Sequence, residues 1–220
     1  VHIRIHPSIL AADFANLEAA VRDVADADAV HVDVMDNHFV PTLTFGPQMV
    51  QRLTEVSPIP LDVHLMIADA DEHAAQYAQL GADSVTFHVE AATDPQAVID
   101  AIHGFGARAG VAIKPGTPLE PYLPLTHSAD LVLIMTVEPG AGGQSFMTEV
   151  MPKLSALHRY LGEQGLSPLV QVDGGITVET LPIALSHGAD TFVAGSSVYG
   201  HGIPGDNIRA LRDAATKGDA

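Results

Sequence analysis

The chain has 220 residues, 47% of them hydrophobic and 17% charged, with 19 Gly, 15 Pro and neither Cys nor Trp. That composition belongs to a globular chain with a real core and excludes a disordered or fibrous one, while the absence of cysteine excludes disulfides, thiolate metal sites and a Cys nucleophile. A net charge of −17 repels a phosphate backbone, which argues against a nucleic-acid partner; an anionic ligand would need local backbone dipoles to hold it against the global field.

The opening VHIRIHPSIL lacks the long apolar stretch of a signal peptide and reads as a first strand, Ile3–Leu10. Short apolar, β-branched runs then alternate with stretches of helical period. In chain order the expected elements are a helix at Asn16–Ala25, a strand at Ala29–Met35, a helix at Pro47–Glu55 and a strand at Leu61–Met66. A helix at Asp71–Leu80, a strand at Ser84–Val89, a helix at Pro95–Phe105 and a strand at Ala109–Lys114 follow, then a short Pro-rich turn near Leu119–Leu123. The last part reads as a strand at Leu131–Val137, a helix at Thr148–Glu163, a strand at Leu169–Val172, a helix at Thr180–His187, a strand at Thr191–Ala194 and a helix at Asn207–Thr216. The longest purely apolar run, Leu131–Met135, is far short of a membrane span, so a soluble, cytoplasmic protein with no membrane partner is expected.

Eight β/α units without a linker predict an α/β fold, a single closed (β/α)8 TIM barrel over residues 1–220. A weak repeat agrees with this. Ala27-Asp28, Gly81-Ala82-Asp83, Ala129-Asp130 and Gly188-Ala189-Asp190 precede the second, fourth, sixth and eighth strands. The rival, an open doubly wound sheet, lacks its Gly-x-Gly-x-x-Gly after the first strand, where the chain reads Pro7-Ser8-Ile9-Leu10-Ala11.

A barrel of this kind carries its active site at the carboxyl ends of the strands. His31, Asp33 and Met35 share one face of the second strand, His64 and Met66 one face of the third, and the seventh ends in Asp173-Gly174-Gly175. Two His and two carboxylates from three strand ends suit a divalent metal such as zinc, iron, manganese or cobalt. Glycine gathers after the sixth, seventh and eighth strands, at Gly140-Ala141-Gly142-Gly143, Gly174-Gly175 and Gly195-Ser196, where backbone N–H groups can turn toward a phosphate. A small phosphorylated substrate is expected. By spacing alone Met35, Met66 and Met135 read as core filler, His2 and His6 as a solvated face, and Lys114 as structural.

Taken together, these segments resemble the ribulose-phosphate 3-epimerase family of (β/α)8 enzymes. The resemblance is carried by Pro7–Phe14, His31–Pro41, Thr44–Pro47, Asp62–Met66, Ile113–Thr117, Gly142–Phe146, Val172–Ile176 and Ala194–Ser196. It implies that His31, Asp33, His64 and Asp173 hold one divalent metal ion and that Asp33 and Asp173 are the acid and base. The pair would interconvert D-ribulose 5-phosphate and D-xylulose 5-phosphate at C3 through an enediolate. It further implies that Ser8 and His64 touch the sugar and that Gly140–Gly143, Gly174, Gly175, Gly195 and Ser196 line the phosphate end. Met35, Met66 and Met135 would form an apolar cap, and the chain would form a homo-oligomer, a dimer or a hexamer.

Three positions depart from the family pattern: Ala141 where Phe is usual, Asn37 for a frequent Gly and Thr42 for a frequent Asn. The motifs do not separate a pentose phosphate from a six-carbon ketose phosphate such as D-allulose 6-phosphate. Related decarboxylases and aldolases carry Asp-x-Lys-x-x-Asp on the third strand, whereas this chain reads Asp62-Val63-His64-Leu65-Met66-Ile67. A phosphosugar-binding barrel without catalysis is the alternative outside enzymes.

Overall fold

The computed structural model describes residues 2–216; Val1 and residues 217–220 of the expected 1–220 domain lie outside the described residues. Eight parallel strands follow one another as β1 (Arg4–Pro7), β2 (Val30–Met35), β3 (Leu61–Met66), β4 (Ser84–His88), β5 (Arg108–Ile113), β6 (Leu131–Met135), β7 (Leu169–Asp173) and β8 (Thr191–Ala194). The sheet runs β1-β8-β7-β6-β5-β4-β3-β2, and a parallel bridge from Ser8 to His31 joins its two ends. This is the expected (β/α)8 barrel.

The helices between the strands are α1 (Leu17–Arg22), α2 (Pro47–Val56), α3 (Ala70–Gln79), α4 (Pro95–His103), α5 (Met151–Gln164) and α6 (Leu181–Ser186). Then come a one-turn α7 (Ser196–Tyr199) and the closing α8 (Pro204–Thr216). Pro47 and Pro95 sit in the first turn of their helices, where the missing N–H costs nothing. Between β5 and β6 the expected short turn is an eight-residue 3₁₀ helix, Glu120–His127, in which Pro124, in the interior, disfavours a regular α-helix.

Alternation along each strand sorts side chains between two cores. The outward set, including Ile5, Val32, Val63, Phe87, Val111, Ile134, Val172 and Phe192, packs under the helices and is buried throughout. The inward set is divided. On β5 and β6 it is apolar, with Ala112, Leu131, Leu133 and Met135 in one cluster. On β1 to β4 and β7, apart from Met35, Met66 and Leu169, it is polar: His6, His31, Asp33, Asp62, His64, Ser84, Thr86, His88 and Gln171 are all buried.

His6 corrects the reading of an exposed face: it is buried, with Nδ1 2.8 Å from Asp62 Oδ2, whereas His2 is exposed. The strand period, counted from Ser8, turns His6 into the barrel. The first strand is also shorter than expected. It stops at Pro7 because Ser8 accepts the Leu10 N–H through its hydroxyl and opens a 3₁₀ turn, Ile9–Ala11.

The Ala-Asp repeat has a structural cause. Asp28, Asp83, Asp130 and Asp190 each accept, through a carboxylate oxygen, the backbone N–H of one residue near the start of the preceding odd-numbered strand: Ile5, Leu61, Ala109 and Val170, at 2.8 to 3.2 Å. The backbone N–H of each Asp donates back to the carbonyl of that same residue at 2.8 to 3.1 Å. Four such two-point clasps pin the amino-terminal rim of the barrel and set the register of neighbouring strands.

Asp83→Ala leaves the Leu61 N–H, whose residue is 1% exposed, without its acceptor. The expected loss is about 1–3 kcal/mol in a urea unfolding experiment, with Asp83→Asn recovering part of it through its amide oxygen.

Candidate active site

The register of β2 against β3 builds the centre of the site: His31 stands opposite Asp62, Asp33 opposite His64 and Met35 opposite Met66. Asp173 ends β7, level with Met135 of β6 and Val193 of β8. Ser8 enters just past β1, and its hydroxyl donates to Asp33 Oδ2 at 2.5 Å.

One ligand atom each from His31, Asp33, His64 and Asp173 falls within 4.8 Å of the other three. His31 Nε2 lies 3.4 Å from Asp33 Oδ1 and 3.9 Å from Asp173 Oδ2; His64 Nδ1 lies 3.2 Å and 3.6 Å from the same two oxygens. Among the described residues His31 Nε2 is a buried polar atom without a hydrogen-bond partner. Such an atom is costly unless something else binds its lone pair. Two imidazole nitrogens and two carboxylate oxygens around one point fit a divalent cation.

Charge balance points the same way. Burial opposes a proton on His31, but the Asp33 and Asp62 carboxylates override it and hold His31 well above its ordinary value. Burial also opposes ionisation of Asp33, which is nevertheless lowered by the charge and hydrogen bonding of His31 and His64. His64 is raised: its hydrogen bonds to Asp173 and Asp33 outweigh burial. The cluster therefore demands positive charge, which either ring protons or a cation can supply, so cation binding would release protons.

Above this centre opens a cavity of about 880 Å³, within the range of roughly 300–1,000 Å³ usual for small-molecule sites. Ser8, Asp33, Asp173, Met35, Met66 and Met135 line it, as do Gly140, Ala141, Gly142, Gly143, Gly174, Gly175, Gly195 and Ser196. His31 and His64 are fully buried and are not part of the lining. Thr42, singled out in the sequence only as a departure, Phe146, only as part of a motif, and Thr177, not singled out at all, also face the cavity. Gly175 is required as glycine: its φ is +66°, and a Cβ would meet the Phe146 backbone nitrogen at 2.5 Å.

The three departures from the family pattern have local explanations. Asn37 adopts a left-handed φ of 62°, a conformation that Gly or Asn tolerates. The Thr42 hydroxyl donates to the Gly140 carbonyl at 2.6 Å and ties the loop after β2 to the loop after β6. Ala141 is an exposed residue of the cavity lining, and Gln144 Nε2 donates to the Glu138 and Ala141 carbonyls at 2.7 and 2.9 Å and braces the loop from within.

Beneath and beside the four-residue centre lie Asp62, His88 and Glu90, which the sequence reading did not single out as functional. The signal was available: polar residues recur at alternate positions of strands that are otherwise apolar. Glu90 bonds His88 Nδ1 at 3.1 Å and the Lys114 N–H at 2.9 Å. Burial would raise Glu90, but these bonds hold it at about 2. Burial, aided by the nearby His64, pushes His88 down to about 4. Lys114 also sets its ammonium 3.8 Å over the Phe39 ring, whose other neighbour is His88. With its folded value below its ordinary 4.5, Glu90 contributes stability that is present above pH 4.5 and is lost as pH falls toward about 2. Thermal melts across that window are expected to show the wild type losing stability more steeply than Glu90→Gln.

Comparisons with known proteins agree with this geometry. Residues 4–199 match the Ribulose-phosphate 3 epimerase family. A ribulose-phosphate 3-epimerase of Mycobacterium leprae is 50% identical over 211 residues, 96% of this chain and 94% of that protein. One from Bacillus subtilis is 44% identical over 201 residues, 90% of this chain and 93% of its own. Among solved structures, 3-hexulose-6-phosphate synthase from Salmonella typhimurium superposes with a TM-score of 0.73 at 18% identity, covering 98% of this chain and all of its own. The 3-keto-L-gulonate-6-phosphate decarboxylase of Vibrio cholerae does so with 0.73 at 15% identity and 99% of each chain, a likeness of fold alone. Among the described residues no helix is long and apolar enough to cross a membrane. With a matching family over nearly the whole barrel and relatives at half identity, the chain belongs to the ribulose-phosphate 3-epimerase family and is an epimerase.

Proposed function

We propose that the chain interconverts D-ribulose 5-phosphate and D-xylulose 5-phosphate by proton transfer at C3, with Asp33 and Asp173 as the two acid/base groups. The observation that carries this reading is the pair of carboxylates from β2 and β7 exposed to one cavity, with ligand oxygens within 4.8 Å of each other beside two buried imidazoles. A C–H bond next to a ketone is weakly acidic, and inversion requires removing its proton on one face and returning a proton on the other. One ionised carboxylate takes the C3 proton; the other, protonated, donates from the opposite side, and the roles exchange with reaction direction.

His31, Asp33, His64 and Asp173 would hold one divalent ion, Zn, Fe, Mn or Co. Bound there, it supplies positive charge against the negative charge that develops on the substrate oxygens. Ser8 fixes Asp33 by donating to Oδ2 and leaves Oδ1 toward the other ligands. Ser8, which lines the cavity, would contact the sugar, while His64, buried beneath it, would serve through its place in the cation site. Met35, Met66 and Met135, each 1–2% exposed, would cover the reacting carbon with apolar surface and keep water from quenching the enediolate.

The phosphate would sit at the loops after β6, β7 and β8, against the backbone of Gly140, Ala141, Gly142, Gly143, Gly174, Gly175, Gly195 and Ser196, where barrels of this type hold anions. The reading extends to a cytoplasmic homo-oligomer, a dimer or a hexamer. A chain without cysteine supports the first, and the exposed Leu43 and Phe14, the latter tilted against Phe45 with ring centroids 4.8 Å apart, support the second.

The test is solvent deuterium incorporation at C3 of ribulose 5-phosphate, followed by NMR. Wild-type protein is expected to exchange that position while forming xylulose 5-phosphate, and to stop when a chelator is added. Asp33→Asn and Asp173→Asn should each lower the rate by about 10²–10⁴-fold. Exchange into D-allulose 6-phosphate alone would move the assignment to a six-carbon ketose phosphate. Exchange into neither by folded, metal-loaded protein would leave a binding barrel.

A further inference from the structure

The two histidines proposed as cation ligands present different ring nitrogens, and each is backed by its own buried chain of hydrogen bonds. His31 turns Nε2 to the centre and Nδ1 to Asp62 Oδ2, 2.9 Å away. Asp62 is 0% exposed, and its other partners include the Gln171 amide nitrogen at 2.7 Å and the Ser84 hydroxyl at 2.7 Å. A carboxylate surrounded in this way acts only as an acceptor, so when the centre gives up its ring protons to a cation His31 keeps the one on Nδ1 and offers the Nε2 lone pair.

His64 is turned the other way, with Nδ1 toward Asp33 and Asp173 and Nε2 at 3.0 Å from His88 Nε2. Two imidazole nitrogens at that distance share one proton, and what lies behind His88 decides which of them holds it. His88 Nδ1 faces Glu90 Oε2 at 3.1 Å, and Glu90 Oε1 accepts the Lys114 backbone N–H at 2.9 Å. Glu90 is thus an acceptor at both oxygens. His88 must donate from Nδ1, its Nε2 must accept, and His64 must carry its proton on Nε2. The lone pair left over is on His64 Nδ1, facing the centre.

We infer that Glu90 is a positioning residue that acts through His88 to select the tautomer in which His64 offers Nδ1 to a cation, while Asp62 selects the opposite tautomer of His31. The inference rests on the reading of His31, Asp33, His64 and Asp173 as a cation site. Glu90 would act without touching the cation, because each ring passes the choice of proton position to the next. In Glu90→Gln one side-chain oxygen becomes an amide nitrogen. If that nitrogen faces His88, it donates to Nδ1, moves the His88 proton to Nε2 and drives the His64 proton onto Nδ1, where it blocks binding. The reverse orientation would set the amide N–H against the Lys114 backbone N–H, donor against donor, so the nitrogen is expected to face His88.

The experiment is zinc binding to the full chain at fixed pH, by competition with a chromophoric chelator, together with long-range proton–nitrogen correlation spectra of the zinc-loaded protein. The wild type is expected to bind through His31 Nε2 and His64 Nδ1. Folded Glu90→Gln should bind zinc about 10–100-fold more weakly, the range usual for loss of a residue that orients a ligand. Asp62→Asn should also weaken binding, but its carboxylate is buried deeply enough to threaten folding, so Glu90→Gln decides. Wild-type affinity in folded Glu90→Gln, or zinc on His64 Nε2 in the wild type, overturns the relay and leaves the cation site standing. A wild-type chain that takes up no zinc, manganese or cobalt overturns both.

Discussion

Moving the Asp62 carboxylate out of water would cost several kcal/mol without compensation, and the interior of this barrel is arranged around supplying it. Its partners come from four other strands: His6 on β1, His31 on β2, Ser84 on β4 and Gln171 on β7. Burial would raise Asp62, but its bonds to His31 and His6 hold it well below the usual carboxylate range. A single buried anion inside the barrel therefore links strands far apart in sequence and orients the His31 imidazole. Removing it would leave several buried donors without an acceptor at once.

That polar network occupies only part of the interior. On β5 and β6 the inward positions are filled by Ala112, Leu131, Leu133 and Met135, and Gly110 leaves no room for a Cβ beside Thr86 and Leu131. The apolar side packs by shape and the polar side by hydrogen bonds; both are dense, and neither gives way cheaply. Such a floor holds side chains in place at the carboxyl ends of the strands, while the loops above carry the surfaces that meet substrate. The Thr42–Gly140 bond joins two of these loops directly.

Electrostatics follows the same division of labour. The chain as a whole repels anions, with a net charge of −17, yet its cavity is walled largely by glycine-rich backbone and methionine rather than by acidic side chains. Charge is concentrated at the cavity floor, where His31 and His64 are raised and Asp33 is lowered by one another's presence. At the opposite rim the clasp carboxylates Asp28 and Asp190 are met by Arg212 and Arg4.

Much of this was legible in the sequence, because local chemistry determines it. Strand and helix periods, the prolines that open helices and the repeated Ala-Asp together specify eight β/α units, and period-2 alternation alone aligns His31 with Asp33 and His64 with Met66. The family motifs named the four-residue cluster, and the fold brings all four together. What the tertiary structure decided was which polar residues share a space across strands that are distant in the chain. His6 was read with His2 as a solvated face although its period with Ser8 turns it inward; the partner that holds it there, Asp62, is 56 residues away. His88 and Glu90 gained their place behind His64 only from the register of β3 against β4, and the choice of ring nitrogen depends on donors and acceptors that no local pattern records. Periodicity is a property of neighbours along the chain, whereas hydrogen-bond satisfaction in a closed barrel is a property of neighbours across it.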